Sequence, residues 1–455
     1  MVASSSRKPL VARFLDICTS VSTFWRAVTS AVIGLAALLV AGWILTVTLG
    51  PQPVLIAEPS LPPALLQHGY SPEVIVRRVL DDVTRLREAA ALDRSQIATF
   101  ESAPSTPPPH LQSLGGISLA SVEYALRVLL GRPPVVVQGE VITKADDSGV
   151  TLYEGRLRLG TVIISSREGR LATPDLDKLI QDLAFDLYRH FDPLRAAYAA
   201  WNLDDIEDMR IALRQLLASP RPEDRKYALM LRANIVTPAM AEADLREAIR
   251  IDPSFVYAIA LLAELERRRG ALDSALRHAE QATAVAPSRG LGPYFKGKVQ
   301  RAQGDLVAAL ATLDEACRLE PRLSSCLNQR GEVLLEMSLR SDNPTVLRRR
   351  AYEAFLAAFE LDKLNDVALS NAAWAAAAYG DLSEALLLSN AAIELAPRVA
   401  GHRLRQAWIL KRSGAMAEAR AALAATLALN PDILQSAPAQ PWDAEWIKEL
   451  AAWTQ

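Results

Sequence analysis

Gly304-Asp305-Leu306-Val307-Ala308-Ala309-Leu310-Ala311-Thr312-Leu313-Asp314-Glu315-Ala316-Cys317-Arg318-Leu319-Glu320-Pro321 is the stretch on which the fold turns. Its glycine suits a tight turn, its leucines and alanines suit one face of a helix, and its proline suits a helix end. The same skeleton recurs along the chain. Pro253, Pro287 and Pro321 stand 34 residues apart, and so do Lys363, Pro397 and Pro431. Five residues before each of these comes a small side chain: Ala248, Ala282, Ala316, Ala358 and Ala392, with Thr426 as the exception. Twelve residues before stand Ala241, Ala275, Ala309, Ala351, Ala385 and Ala419, and seventeen before stand Gly270, Gly304, Gly380 and Gly414. A fixed period of this length is the mark of stacked helix pairs that share one continuous core.

Each landmark has a physical reason. Glycine permits the turn between two antiparallel helices, alanine lets them approach closely, and proline ends the second helix before the next pair begins. Gly304-Asp305-Leu306 and Gly380-Asp381-Leu382 are two copies of that turn. From Pro222 to Pro431 these residues resemble the tetratricopeptide-repeat (TPR) family, which places an α-solenoid at 222–434. The pattern departs from the family in two ways. Eight extra residues separate Pro321 from Lys363, with a loop signal at Ser341-Asp342-Asn343-Pro344, and large residues early in the first helix are replaced, as at Pro293 and Arg403.

The resemblance implies a partner-binding protein without catalysis, in which the first helix of every pair lines a groove for a protein or peptide. Carried onto this chain it gives Tyr257, Arg267, Tyr294, Lys298, Arg301, Asn328, Trp374, Trp408 and Lys411 as the partner-binding set, with Glu264, Glu332 and Leu404 beside them. Trp374 and Trp408 stand one repeat apart, where two exposed aromatics would grip apolar side chains, and Lys298 and Arg301 would hold a carboxylate. The competing reading packs the tryptophans between repeats and leaves the cations as a solvated face.

Outward from the array, 441–455 is expected to be a capping helix, running from Trp442 to Trp453 with Trp446, Ile447 and Leu450 on one face. At the other end, residues 27–49 carry no charge and as a helix would reach about 34 Å, enough to span a bilayer. Arg7, Lys8, Arg13 and Arg26 precede this stretch, so the positive-inside rule places 1–26 in the cytoplasm and the rest of the chain outside it. Arginine outnumbers lysine 41 to 9, a bias associated with GC-rich bacterial genomes. The expected location is therefore a bacterial inner membrane, with the bulk of the chain periplasmic. Ser30, Gly34, Ala37 and Ala41 form a small-residue stripe suited to a homodimer through the span.

Between anchor and array, 54–201 is expected to be a small α+β domain interrupted by a proline-rich linker at 102–116. Ser71-Pro72-Glu73 is a helix start, and Ser118 to Leu130 a second helix. Val54 to Ile56 reads as a first strand, Val135 to Ile142 as a β-branched strand, and the turn at Asp146-Asp147-Ser148-Gly149 leads into a partner strand through Tyr153 and Leu159. Thr161 to Ser165 adds a short strand and Pro174 to Phe191 a closing helix. This order loosely resembles the polypeptide-transport-associated (POTRA) domain, and the stretch from Ile56 to Pro72 is similar to extracytoplasmic regions of uncharacterised proteobacterial membrane proteins.

Composition narrows function by exclusion. Lys plus Arg total 50 against 52 for Asp plus Glu, which gives no electrostatic pull toward nucleic acid. The histidines at 68, 110, 190, 278 and 402 are too far apart for a metal-ligand motif, so neither metal nor cofactor is expected. No phosphate loop, nucleophile elbow or Cys-x-x-Cys pair is present, so no residue is assigned a catalytic role. Cys317 and Cys326, nine residues apart across a helix junction, either form a disulfide or pack as two buried thiols. The leading expectation is a membrane-anchored scaffold or adaptor for assembling or maintaining an envelope complex. The alternatives are an enzyme or small-ligand sensor in the α+β domain, and a substrate-presenting repeat protein resembling those of cytochrome c maturation.

Overall fold

The computed structural model describes residues 28–35, 37–44, 52–90, 100–102, 127–145, 151–170, 173–436 and 444–453. The break between its two compact units falls at Ala218/Ser219. The linker from 103 to 116, the helix residues 118–126, the turn at 146–149 and Cys18 lie outside the described residues.

The first unit contains a five-stranded sheet of order β2-β1-β3-β4-β5. Strand β1 (Val54–Ile56) runs parallel to both β2 (Phe100–Ser102) and β3 (Val135–Ala145). Strands β4 (Thr151–Leu159) and β5 (Val162–Arg170) continue from β3 as an antiparallel meander. Short helix α1 (Pro63–Gln67) precedes α2 (Pro72–Ala89), which starts where Ser71 Oγ accepts the Val74 amide at 3.2 Å. Helix α2 buries Ile75, Val76, Val79, Val83 and Leu86, the apolar spacing of a one-sided helix. Helix α3 (Thr173–Phe191) packs against β4 and β5, and α4 (Pro193–Asn202) and α5 (Ile206–Leu217) complete the unit. Asp186 on α3 is buried but compensated. Its carboxylate accepts from Ser165 Oγ at 2.7 Å, from the Arg167 fork at 2.7 and 2.9 Å, and from Arg189 at 3.0 Å, which joins α3 to β5.

The membrane expectation does not hold. Among the described residues no helix is long and apolar enough to cross a membrane. Residues 28–35 and 37–44 are helical. The inner-membrane location, the cytoplasmic N-terminus, the periplasmic bulk and the homodimer on Ser30, Gly34, Ala37 and Ala41 all rest on that span and fall with it.

The second unit is a solenoid of helix pairs: α6 (Pro222–Arg232) with α7 (Pro238–Ile251), α8 (Val256–Arg268) with α9 (Leu272–Val285), and α10 (Leu291–Gln303) with α11 (Leu306–Leu319). It continues with α12 (Ser324–Ser338) and α13 (Pro344–Leu361), α14 (Asp366–Tyr379) and α15 (Leu382–Leu395), and α16 (Ala400–Arg412) and α17 (Met416–Leu429). The landmarks do what their chemistry allows. Gly304 and Gly380 take the left-handed conformation, φ 84° and 113°, and end the first helix of their pairs. The next residue then caps the second helix, since Asp305 Oδ1 accepts the Ala308 amide and Asp381 Oδ1 the Glu384 amide, both at 3.0 Å. Ala275, Ala309, Ala351, Ala385 and Ala419 are fully buried, as are Ala248, Ala282, Ala316, Ala358 and Ala392. Thr426, the exception, is also buried and returns its hydroxyl to the Ala422 carbonyl at 2.8 Å, so no polar atom is stranded. Second helices end two residues before each Pro253-type position, Lys363 included.

The eight extra residues of the fourth pair do not break the stack. They lengthen the turn before α13 and extend α13 to 18 residues against 14 for the other second helices from α7 to α17. Ala351 and Ala358 keep their buried register. Cys317 and Cys326 are joined by a disulfide with Cα atoms 5.7 Å apart, linking α11 to α12. After a short turn of helix, α18 (Ile433–Ser436), helix α19 (Ala444–Ala451) closes the array. Leu450 is fully buried, and Ile447 and Trp453 pack on the same core. Trp442 and the Trp446 side chain lie outside the described residues.

Candidate functional site

The first helices α8, α10 and α12 bring one repeat position together three times, as Glu264, Lys298 and Glu332, and a second position twice, as Arg267 and Arg301. Because equivalent residues of a solenoid stack at the same height, these side chains meet across the helix boundaries. They line a cleft of about 450 Å³ together with Arg268, Gln329 and Glu336.

Its electrostatics divide in two. Glu264 is held by three cations: the Arg267 fork with both bonds at 2.9 Å, Arg268 at 2.8 Å and Lys298 at 2.9 Å. Burial alone would raise its carboxyl, but the Arg267 hydrogen bonds and the Lys298 charge hold it down at about 2. Burial pushes the Lys298 ammonium below its ordinary value in spite of Glu264, and the ammonium lies 5.5 Å from the Tyr294 ring centre. Burial also pushes the Tyr294 hydroxyl up to about 12. At the α12 end the balance reverses. Arg301 donates to Glu336 at 2.8 Å and also binds Glu332, so one cation faces two carboxylates. From Glu332 a polar chain runs on across the repeats: Asn328 donates to Glu332 at 3.0 Å, Asn371 to Asn328 at 3.2 Å, and Arg405 to Asn371 at 2.6 Å.

Of the residues named from sequence, Arg267, Lys298 and Arg301 converge here, with Tyr294 beneath Lys298 and Asn328 tied to Glu332. Neither Lys298 nor Arg301 is an idle cation awaiting a carboxylate, since internal glutamates already engage both. Tyr257 is exposed elsewhere and accepts a hydrogen bond from Arg289 at 2.9 Å. Lys411 binds Glu449 at 2.8 Å and lies 5.0 Å from the Trp453 ring centre, so it holds the terminal helix.

Trp374 and Trp408 are not an exposed aromatic pair. They are 4% and 6% exposed, stacked on each other with centroids 5.7 Å apart and planes 11° apart, inside the core of the last repeats. The reason is volume. Every residue of α14 from Ala372 to Ala378 other than Trp374 itself is alanine and buried, and small neighbours leave the space into which an indole folds. Arg268, Gln329 and Glu336 escaped the sequence reading, although stepping 34 residues from Glu264 and Arg267 leads to the side chains that surround them.

No family model matches the chain, and no curated protein does. Among solved structures, MamA protein matches at 15% identity over 40% of this chain and 96% of its own, with a TM-score of 0.33. YrrB, described as a TPR protein with an unusual peptide-binding site, matches at 20% identity over 41% of this chain and 93% of its own, with a TM-score of 0.33. TTC0263, a thermophilic TPR protein of Thermus thermophilus, matches at 22% identity over 42% of this chain and 99% of its own, with a TM-score of 0.36.

Proposed function

We propose that this protein is an interaction scaffold whose repeat array seats a protein or peptide partner against its first helices, in the cleft between α8, α10 and α12. The observation that carries this is the stacking of Glu264, Lys298 and Glu332 at one repeat position, which builds a polar, solvent-open cleft instead of a filled core. Such a cleft offers ready-made charge pairs that exchange partners with an incoming polar chain, so orientation and specificity come from complementarity and not from buried area. The cationic α8 end favours an acidic stretch, and the anionic α12 end a basic one. Tyr294, Arg267, Lys298, Arg301 and Asn328 keep their proposed contact roles. Trp374, Trp408 and Lys411 serve the array itself.

Photo-crosslinking tests this directly. A benzophenone amino acid placed at Arg268, whose side chain is 71% exposed beside the cleft, should yield a defined adduct with a partner. The same probe at Leu387, 64% exposed on a second helix, should not. Adducts at Leu387 with none at Arg268 would sink the reading.

A further inference from the structure

The first repeat departs from the others at its turn. Seventeen residues before Pro253, where four other repeats carry glycine, stands Val236. A β-branched residue is excluded from the left-handed conformation that closes the glycine turns. Helices α6 and α7 are joined instead through 233–237, a longer link than 304–305 between α10 and α11 or 380–381 between α14 and α15. Between this link, α7 and α8 lies a hollow of about 310 Å³. Val236, Leu261 and Leu265 are half-buried and give it apolar walls over a floor of Ala241 and Leu245. The exposed Arg268 and Arg269 stand at its rim, and Arg269 Nη2 ties the rim to the link by donating to the Pro238 carbonyl at 2.6 Å.

The hollow adjoins the charged cleft, since Glu264 and Arg268 line both. Around this shared wall cations outnumber carboxylates. Arg267, Arg268 and Lys298 converge on Glu264, and Arg246 and Arg269 on Glu242. The surplus leaves the wall positive, so it attracts an acidic group and repels a basic one. In an extended chain, side chains two residues apart point to the same side, about 7 Å from each other, and two adjoining openings can receive them together. We propose that the hollow seats an apolar side chain of a partner's extended segment, while an acidic side chain two residues away meets Arg268 in the cleft. The proposal rests on the reading of the cleft as the partner's seat and adds the anchor that solvated charge pairs do not supply, the removal of an apolar side chain from water.

The test uses the full chain and three amidated, tetramethylrhodamine-labelled peptides read by anisotropy. The parent is Gly-Ser-Glu-Ser-Leu-Ser-Glu-Ser, in which glutamate stands two residues to either side of leucine so that both chain directions are offered. The second has alanine for the leucine, and the third has glutamine for both glutamates. The parent should bind about tenfold more tightly than the alanine peptide and about fivefold more tightly than the glutamine peptide. Ala233→Phe, which fills the hollow, should abolish the leucine preference and keep the glutamate preference, and Asn234→Trp, at an exposed position of the same lining, should do the same. A glutamate preference without a leucine preference overturns the hollow as an anchor and leaves the reading of the cleft standing. A leucine preference without a glutamate preference, or one that survives both fillers, overturns the joint occupant. Binding of none overturns the proposal, and the Arg268 and Leu387 crosslinking probes then decide the reading of the cleft by themselves.

Discussion

One repeat position has two fates along this array. Read through five successive first helices it is Glu264, Lys298, Glu332, Trp374 and Trp408. In the earlier repeats the position faces a solvent-open cleft bridged by charge, and in the last two it is the centre of a stacked indole pair. The backbone is the same in both halves, so the difference lies in the neighbours. Around Lys298 stand Tyr294 and Arg301, long side chains with polar tips, and the Arg301 tip is spent on Glu332 and Glu336. On its own helix Trp374 is flanked by Ala372, Ala373 and the run Ala375 to Ala378, all buried, and its ring lies on Trp408, so it has no solvent to face. A solenoid can thus carry a polar cleft at one end and a closed apolar core at the other without any change of architecture.

The comparison can be broken most forcefully at the shut end. Trp374→Ala or Trp408→Ala should cost about 3–5 kcal/mol in chemical denaturation, because each removes a buried aromatic and leaves a cavity. Loss of less than about 1 kcal/mol from either would mean that the indoles are surface groups after all.

At the open end the effect should be smaller. Glu264→Gln removes the carboxylate on which Arg267, Arg268 and Lys298 converge, and should cost about 2 kcal/mol, less than a fully dry pair because the cleft admits water. The same variant carries a pH signature. The Glu264 carboxyl sits at about 2 in the folded chain against an ordinary 4.5, so its stabilisation is complete above 4.5 and is lost as pH falls toward 2. The parent should therefore lose stability across that window by more than Glu264→Gln does, as followed by circular dichroism. Parallel acid profiles would remove the charge network from the account.

The smallest predicted effect asks where the two halves are alike. Asp305→Ala and Asp381→Ala remove the same helix cap from each half and should each cost about 1 kcal/mol in thermal unfolding. Unequal losses would show that the halves differ in their scaffolding as well as in their surfaces.

The solenoid was legible because its constraints are local. A left-handed turn favours glycine and a close crossing needs alanine, and each left its residue at a fixed interval. The cleft was half legible. The 34-residue step placed Arg267, Lys298 and Arg301 together with Glu264 and Glu332, but it did not show that these glutamates, and not a ligand, engage Lys298 and Arg301. The tryptophans misled because a repeat position does not determine whether a side chain points at solvent or at a neighbour. The run of alanines through α14 carried that information in plain view. The membrane span was inferred from an uncharged run whose ends, 27 and 45–49, lie outside the described residues, and the described helix does not bear the inference out.

The disulfide between Cys317 and Cys326 sits at the joint between the third and fourth repeats, midway along the array. Repeat arrays come apart one neighbour at a time, because each unit is held only by those beside it. Under mechanical load, a peeling front that starts at either end meets a covalent rivet halfway and must stop there or open the repeats beyond it as separate events. The array should therefore yield in two steps when stretched, and in one continuous run once the rivet is reduced.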